Sequence, residues 1–310
     1  MALVDSIAGR VLSATRSDLF YSFSRSPVTV VAAVVTLVYF LAAAFAPWVA
    51  PSNPFDLASL DVSNALKPPF WLEDGSIAFP FGTDDQGRDV LSSIIFGARI
   101  SLVVGILSVL LAALIGVTLG LISGYVGGYV DSLIMRVADV QLSFPAILIA
   151  LTVDGVVRGI VSSERYQEIA LFVTVAAIAL TSWVQYARTV RGSVMVEKNK
   201  DYVAAAQLIG LPAPVIMLRH VLPNAMGPIL VIATINLALA IITEATLSFL
   251  GAGMPETMPS LGTLIRIGNN YLFAGEWWIV AFPGIALAAL ILSINLLGDW
   301  LRDALNPKLR

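Results

Sequence analysis

The chain has 310 residues, 58% of them hydrophobic and only 13% charged, where a soluble domain carries about 25% charged residues. That balance, with a mean hydropathy of +0.87, describes a chain made for a lipid bilayer. A net charge of −3, no cysteine and a single histidine, His220, exclude a basic nucleic-acid binder, a disulfide framework and thiolate or thiol chemistry.

The apolar residues gather into blocks long enough to cross a membrane, which takes roughly 20 residues at about 1.5 Å each. Six crossings are predicted, at 28–50, 100–124, 133–153, 169–187, 227–250 and 277–297. Backbone groups in lipid must be satisfied within the segment, so all six read as helices, and they are too long for barrel strands. The expected fold class is therefore an all-α integral membrane protein with six transmembrane helices.

The first block follows the basic residues Arg10, Arg16 and Arg25. Its length exceeds a cleaved signal core, so it is expected to stay as a permanent helix. Residues 51–99 form a long loop, proline-rich and then acidic. Within it "DDQGRD" lacks the ligand spacing and terminal glutamate of a calcium loop. Turns are expected at Gly82 and Gly87, and an amphipathic helix from Asp89 onward is expected to lie at the outer surface. In the second crossing Gly116, Gly120 and Gly124 make a ladder that permits close helix contact. In the third, Arg136 and Asp139 share a helix face and are expected to pair near the inner boundary rather than to serve transport; Pro145 marks a kink there, as Pro283 does in the sixth.

Lys and Arg give the direction. With the N-terminus in the cytoplasm, inner segments carry twelve of them and outer loops six, so both termini are placed inside. That puts residues 198–224, "KNKDYVAAAQLIGLPAPVIMLRHVLPN", in the cytoplasm between the fourth and fifth crossings. Asp201 is suited to cap or to complement a helix N-terminus, Gly210 to a helix C-terminus with Pro212 behind it, and Pro214 to the first turn of a second helix ending before Pro223. The loop thus reads as a helical hairpin over 201–223. Its first helix is too short to stand alone. Ala204, Ala205 and Ala206 offer a smooth surface, either for the membrane and the chain's own bundle or for a cytoplasmic partner. His220, at the end of the second short helix, complements that helix's dipole.

Inside the crossings Glu244 and Asn236 stand out, with Asn295. An intramembrane carboxyl marks a solute path or ties helices together; the amides suit interhelical hydrogen bonds. No lysine follows a glycine, so a phosphate-cradling Gly-Lys-Ser/Thr loop is missing.

"DYVAAAQLIG" followed by "RHVLPN" resembles the cytoplasmic coupling loop of ABC importer permeases. "FGTDDQGRDVLSSIIFGARISL" (81–102), "TEATLSFLGAG" (243–253) and "NLLGDWLRDALNPKLR" (295–310) resemble the dipeptide/oligopeptide (peptide/opine/nickel) branch of that family, in its second membrane subunit. The four stretches lie in family order from about residue 27 to the end. The resemblance implies the type I importer (MetI-like) permease fold, with 1–96 as N-terminal segment, first crossing and outer loop. A five-helix core would cover 97–299 with its coupling loop at 188–226, and 300–310 would be a cytoplasmic tail. It implies that Asp201, Tyr202, Ala204, Ala205, Ala206, Gly210, Leu222 and Pro223 meet an ATPase subunit. Ala204 stands where the family usually has an acid. The implied partners are a homologous permease subunit (a heterodimer), two ATP-binding subunits, an extracytoplasmic solute-binding protein and inner-membrane lipid, with no nucleic acid. No cofactor is expected, ATP being bound by the partner subunits only, and Glu244 and Asn236 are expected on the translocation path. The alternative is an ion-gradient-driven secondary transporter or channel; an intramembrane enzyme lacks the needed nucleophile, base or ligands.

Overall fold

A computed structural model describes residues 23–56 and 60–305. Arg10, Arg16, Lys308 and Arg310, which carry part of the charge argument for the termini, lie outside the described residues. The regular secondary structure of the described residues is all helical, and outside it there is one isolated bridge between Thr83 and Asp89.

Helix α1 (Pro27–Ala44) starts with Pro27 in its first turn, and the Ser26 hydroxyl accepts from the Thr29 N–H at 3.3 Å. A short α2 (Ala46–Val49) follows. The outer loop then leads into α3 (Val90–Val126), 37 residues without a break. The surface helix expected after Asp89 is therefore the outer part of the second crossing and not a separate element. The reason is local: Asp89 caps it, accepting from the Ser92 N–H at 2.8 Å, and no proline interrupts it. At about 1.5 Å per residue α3 is roughly 55 Å long, so it stands well clear of a hydrocarbon core of about 30 Å. It stops at Gly127, whose φ of 73° suits glycine.

The third crossing is broken. Helices α4 (Gly128–Leu142) and α5 (Ala146–Ile160) meet at 89° across residues 143–145. Pro145 forces the preceding residue out of helical geometry, which turns the expected kink into a break. Helix α6 (Ser163–Glu197) returns as one 35-residue element. The hairpin between the fourth and fifth crossings opens with α7 (Asp201–Leu208) and turns at Gly210. Next come α8 (Ala213–Ile216), a π-turn over Met217–Val221 and α9 (Leu222–Phe249), without interruption. An outer helix α10 (Leu261–Asn269), absent from the sequence reading, precedes α11 (Trp278–Leu305). Among the described residues five helices are long and apolar enough to cross a membrane, and the bent α4–α5 pair makes a sixth.

The spine is α3 against α6. A Cβ on Gly116 or Gly120 would run into the backbone carbonyls of Trp183 and Ala187. One on Gly124 would sit 2.9 Å from the Arg191 carbonyl and from the Val194 Cβ. The glycine ladder therefore lets two main chains touch, with Val184, Ala187, Val190 and Val194 fully buried beside it. Around this spine α9, α10 and α11 pack through Ile241, Leu261 and Leu290. Helix α1 leaves Val31, Val34, Leu37 and Val38 exposed, an unbroken apolar face for lipid.

Candidate functional site

The hairpin is held from one side and open on the other. Val203 and Ala206 of α7 are buried in a cluster with Ile216, Val221 and Ala225, and with Val190 and Val194 of α6. Ala204 and Ala205 point away from that cluster. The three alanines do not share a surface, because successive residues of a helix are turned by about 100°. Asp201 is not the cap. Lys200 occupies the cap position with extended backbone, and Asp201 lies in the first turn, exposed, where its charge suits the helix dipole. At the far end Leu208 and Ile209 are 88% and 75% exposed. The chain reverses at Gly210, φ +80°, where its N–H bonds the Gln207 carbonyl at 3.0 Å and the Leu211 N–H bonds that of Ala206 at 3.1 Å. A Cβ at Gly210 would meet nothing within 4 Å, so backbone conformation alone calls for glycine.

The second short helix does not end before Pro223. It widens into the π-turn and runs on into the membrane as α9, with Leu222 and Pro223 in the first turn of α9. An ordinary α-turn would set the proline ring against the Arg219 carbonyl; the wider turn relieves that contact. His220 therefore lies mid-helix and does not complement a helix end. Its carbonyl accepts from Asn224 Nδ2 at 2.7 Å, and its buried Nδ1 has no partner among the described residues.

Polar struts brace this end of the molecule. The Tyr202 hydroxyl donates to Glu197 at 2.7 Å and accepts from Asn224 Nδ2 at 3.3 Å, which joins α6, α7 and α9. Burial pushes the Tyr202 phenol up, and the neighbouring Glu197 adds to it. Arg191 grips Asp131 with two bonds of 2.5 and 2.6 Å, Ser123 also donates to Asp131, and Lys198 Nζ reaches the Gly124 carbonyl at 2.7 Å. Leu208, Ile209, Glu197 and Asn224 were not singled out in the sequence. Two large apolar residues just before a helix-ending glycine, in an otherwise charged loop, were the available signal.

Glu244 and Asn236, expected on the solute path, are instead enclosed in the protomer at 0% and 3% exposure. Ser101 of α3 and Ser248 donate to the two oxygens of Glu244 at 2.8 and 2.7 Å. The same two hydroxyls accept the N–H groups of Leu261, at 3.3 Å, and Met254, at 3.0 Å. Glu244 thus ties α3, α9 and the start of α10 together. Asp139 pairs with Arg188 of α6 and not with Arg136. In the outer loop Asp84 is committed to the N–H groups of Gln86 and Arg88, both at 2.9 Å, and to the Arg88 guanidinium at 2.5 Å. Burial still pushes its carboxyl up, against the pull of Arg88. Trp278 closes over this loop by donating to the Thr83 carbonyl at 3.1 Å.

Comparison with known proteins converges on one kind of molecule. Residues 116–310 match the family described as binding-protein-dependent transport system inner membrane component, and residues 16–69 match the N-terminal transmembrane domain of oligopeptide transport permease C. The dipeptide transport system permease protein of Escherichia coli K12 is 43% identical over 94% of this chain and 93% of its own length. The di/tripeptide transport system permease protein of Pseudomonas aeruginosa is 38% identical over 94% of this chain and 92% of its own. A chain of the MetNI methionine ABC transporter, solved in inward-facing conformations, shares the fold. It has a TM-score of 0.54 at 20% identity, covering 70% of this chain and 96% of that one. A broken six-crossing bundle, a braced helical hairpin and these matches together place the chain in the family of binding-protein-dependent transport system inner membrane components, as a multi-pass permease subunit.

Proposed function

We propose that this permease forms half of the pathway of an ATP-driven peptide importer, and that the 201–223 hairpin is where a separate ATP-hydrolysing subunit pushes on it. One observation carries the reading. The hairpin's inner side is fused to α6 and α9 through one apolar cluster, while Leu208 and Ile209 are left outside it. A push on α7 passes into α9 without a flexible joint, because α8, the π-turn and α9 form one continuous helical rod.

In this reading Tyr202, Ala204, Ala205 and Asp201 flank the docking edge, Gly210 sets its angle, and Leu222 and Pro223 start the rod. The other half of the pathway is a homologous permease subunit, a heterodimer partner, with two ATP-binding subunits below and a solute-binding protein outside. Hydrolysis takes place on the partner subunits. Peptides are the solute class because the relatives at 43% and 38% identity carry that function in their names. Both termini lie in the cytoplasm. The edge-to-face contact of Phe23 with Trp300, ring centres 5.2 Å apart, supports placing the two ends on one side.

The test is reconstitution of the full transporter in liposomes with Leu208→Asp and Ile209→Asp together. The expected result is a folded permease whose peptide uptake and solute-stimulated ATP hydrolysis both fall by more than tenfold, since a desolvated apolar contact is replaced by charge. Undiminished stimulated hydrolysis would remove the hairpin from the coupling route. Uptake by this chain alone under an ion gradient would favour the secondary-transporter reading instead.

A further inference from the structure

The break between α4 and α5 lies level with the middle of α6, a helix long and apolar enough to cross the membrane. Gln141, two residues before it, donates through Nε2 to the Leu180 carbonyl and accepts from Trp183 Nε1 at 2.7 Å. Leu180 is the central residue of the 35 in α6. At about 1.5 Å per residue it is roughly 26 Å from either end of that helix.

At that depth three carbonyls are open. Among the described residues no donor bonds the carbonyl oxygens of Leu142, Ser143 or Phe144. The protomer does not cover them either, since residues 142–146 are all exposed. Non-helical backbone at membrane depth persists only inside protein or beside water, since each open polar group in lipid costs several kcal/mol. Lipid therefore cannot be what meets this break.

The surface of α4 shows which neighbour does. Ser132, Arg136, Asp139 and Ser143 recur at spacings of four, three and four and are all exposed, so they form one polar face. The Asp139–Arg188 pair on it is 60% and 48% exposed. Beside it Leu133, Val137, Val140 and Phe144 form an equally exposed apolar face. A charged stripe running from the inner boundary to open carbonyls at mid-depth suits water, whereas the adjacent stripe suits lipid or a dry subunit contact.

We propose that the polar face of α4 and the break above it line the solute path at mid-membrane. The open carbonyls of Leu142, Ser143 and Phe144, at the negative end of the α4 dipole, receive the N–H donors of the solute, its ammonium and amide groups. The donor clause rests on the peptide reading above; the water-lined break does not. Half-helices that end in open backbone at the site of passage are a general solution for carrying polar solutes through lipid.

The chain's lack of cysteine makes the test direct. Ser143→Cys, Val140→Cys and Phe144→Cys are made singly in the complete transporter, with Ser132→Cys as a second polar position should Ser143→Cys fold poorly. Each is treated with a charged, membrane-impermeant methanethiosulfonate. Only a thiolate reacts, and a thiol facing lipid or protein stays protonated. Labelling at Ser143→Cys or Ser132→Cys is expected to run at least roughly tenfold faster than at Val140→Cys and Phe144→Cys. A transported dipeptide, but not its N-acetylated form, is expected to slow it about threefold or more at position 143. Equal, slow labelling at all four positions in the complex overturns the water-lined path, as does labelling of the isolated chain that vanishes on assembly. Fast labelling that no peptide slows, in a transporter that imports peptides, overturns the donor clause. Loss of the peptide reading alone would appear as failed peptide uptake with the labelling contrast intact.

Discussion

The two ends of this permease satisfy their polar groups in opposite ways. At the end away from the hairpin, outer in the proposed orientation, two carboxyls are sealed in: Glu244 is held by two serines that are themselves held by backbone N–H groups, and Asp84 is bonded to Arg88 beside the Thr83 carbonyl that Trp278 bonds. At the inner end the charges form half-exposed struts, Arg191 to Asp131 and Tyr202 to Glu197, around a hairpin that leaves Leu208 and Ile209 in the open. The first set of carboxyls is satisfied within one chain, and under the proposed function the hairpin end is finished by another. Substitutions should therefore cost stability at the outer end and in the spine, but coupling at the inner end.

The largest stability effect is expected in the spine that both ends share. Gly116→Leu drives a side chain into the α6 backbone at Trp183 and should cost roughly 3 kcal/mol or more, seen as a steep fall in melting temperature of the purified complex. Next, Glu244→Ala strands the Ser101 and Ser248 hydroxyls in a dry interior and should cost roughly 1–3 kcal/mol. Glu244→Gln keeps the shape and one acceptor and should cost less. Equal melting temperatures for Glu244→Ala and the parent would show that the outer end is not sealed by this carboxyl.

Gly210→Val is expected to cost roughly 1–2 kcal/mol, the strain of a left-handed backbone under a β-branched residue. It should also lower the uptake obtained per ATP, because α7 would be presented at a different angle. Tyr202→Phe gives the smallest change. Loss of its partly exposed hydrogen bonds to Glu197 and Asn224 should cost about 0.5–1.5 kcal/mol in all, with the half-buried ring retained, and a reduced ratio of uptake to hydrolysis is the readout. Should Tyr202→Phe destabilise the complex as much as Glu244→Ala does, the contrast between sealed and strutted ends fails.

Much of the fold was legible from apolar run length alone, as each crossing lies on a stretch that cannot satisfy its backbone any other way. The Gly116–Gly120–Gly124 ladder was legible too, because only close helix contact rewards small residues at four-residue spacing. The hairpin's reversal was readable from Gly210 and Pro212, but its direction of burial was not. Three consecutive alanines look alike in a sequence, yet only Ala206 is buried. Glu244 is legible as an unusual intramembrane carboxyl, but whether it meets a path or a pair of serines depends on residues as far as 143 positions away in the chain, such as Ser101.

The amino-acid sequence by itself determined the solvent this chain lives in, the apolar stretches that cross it and the reversal at Gly210, because these follow from local hydropathy, glycine and proline. The tertiary structure alone decided which side of the hairpin is buried, which carboxyls are enclosed and which charges pair. Those outcomes depend on contacts between helices distant in the chain, and no local propensity encodes which neighbour a side chain will meet.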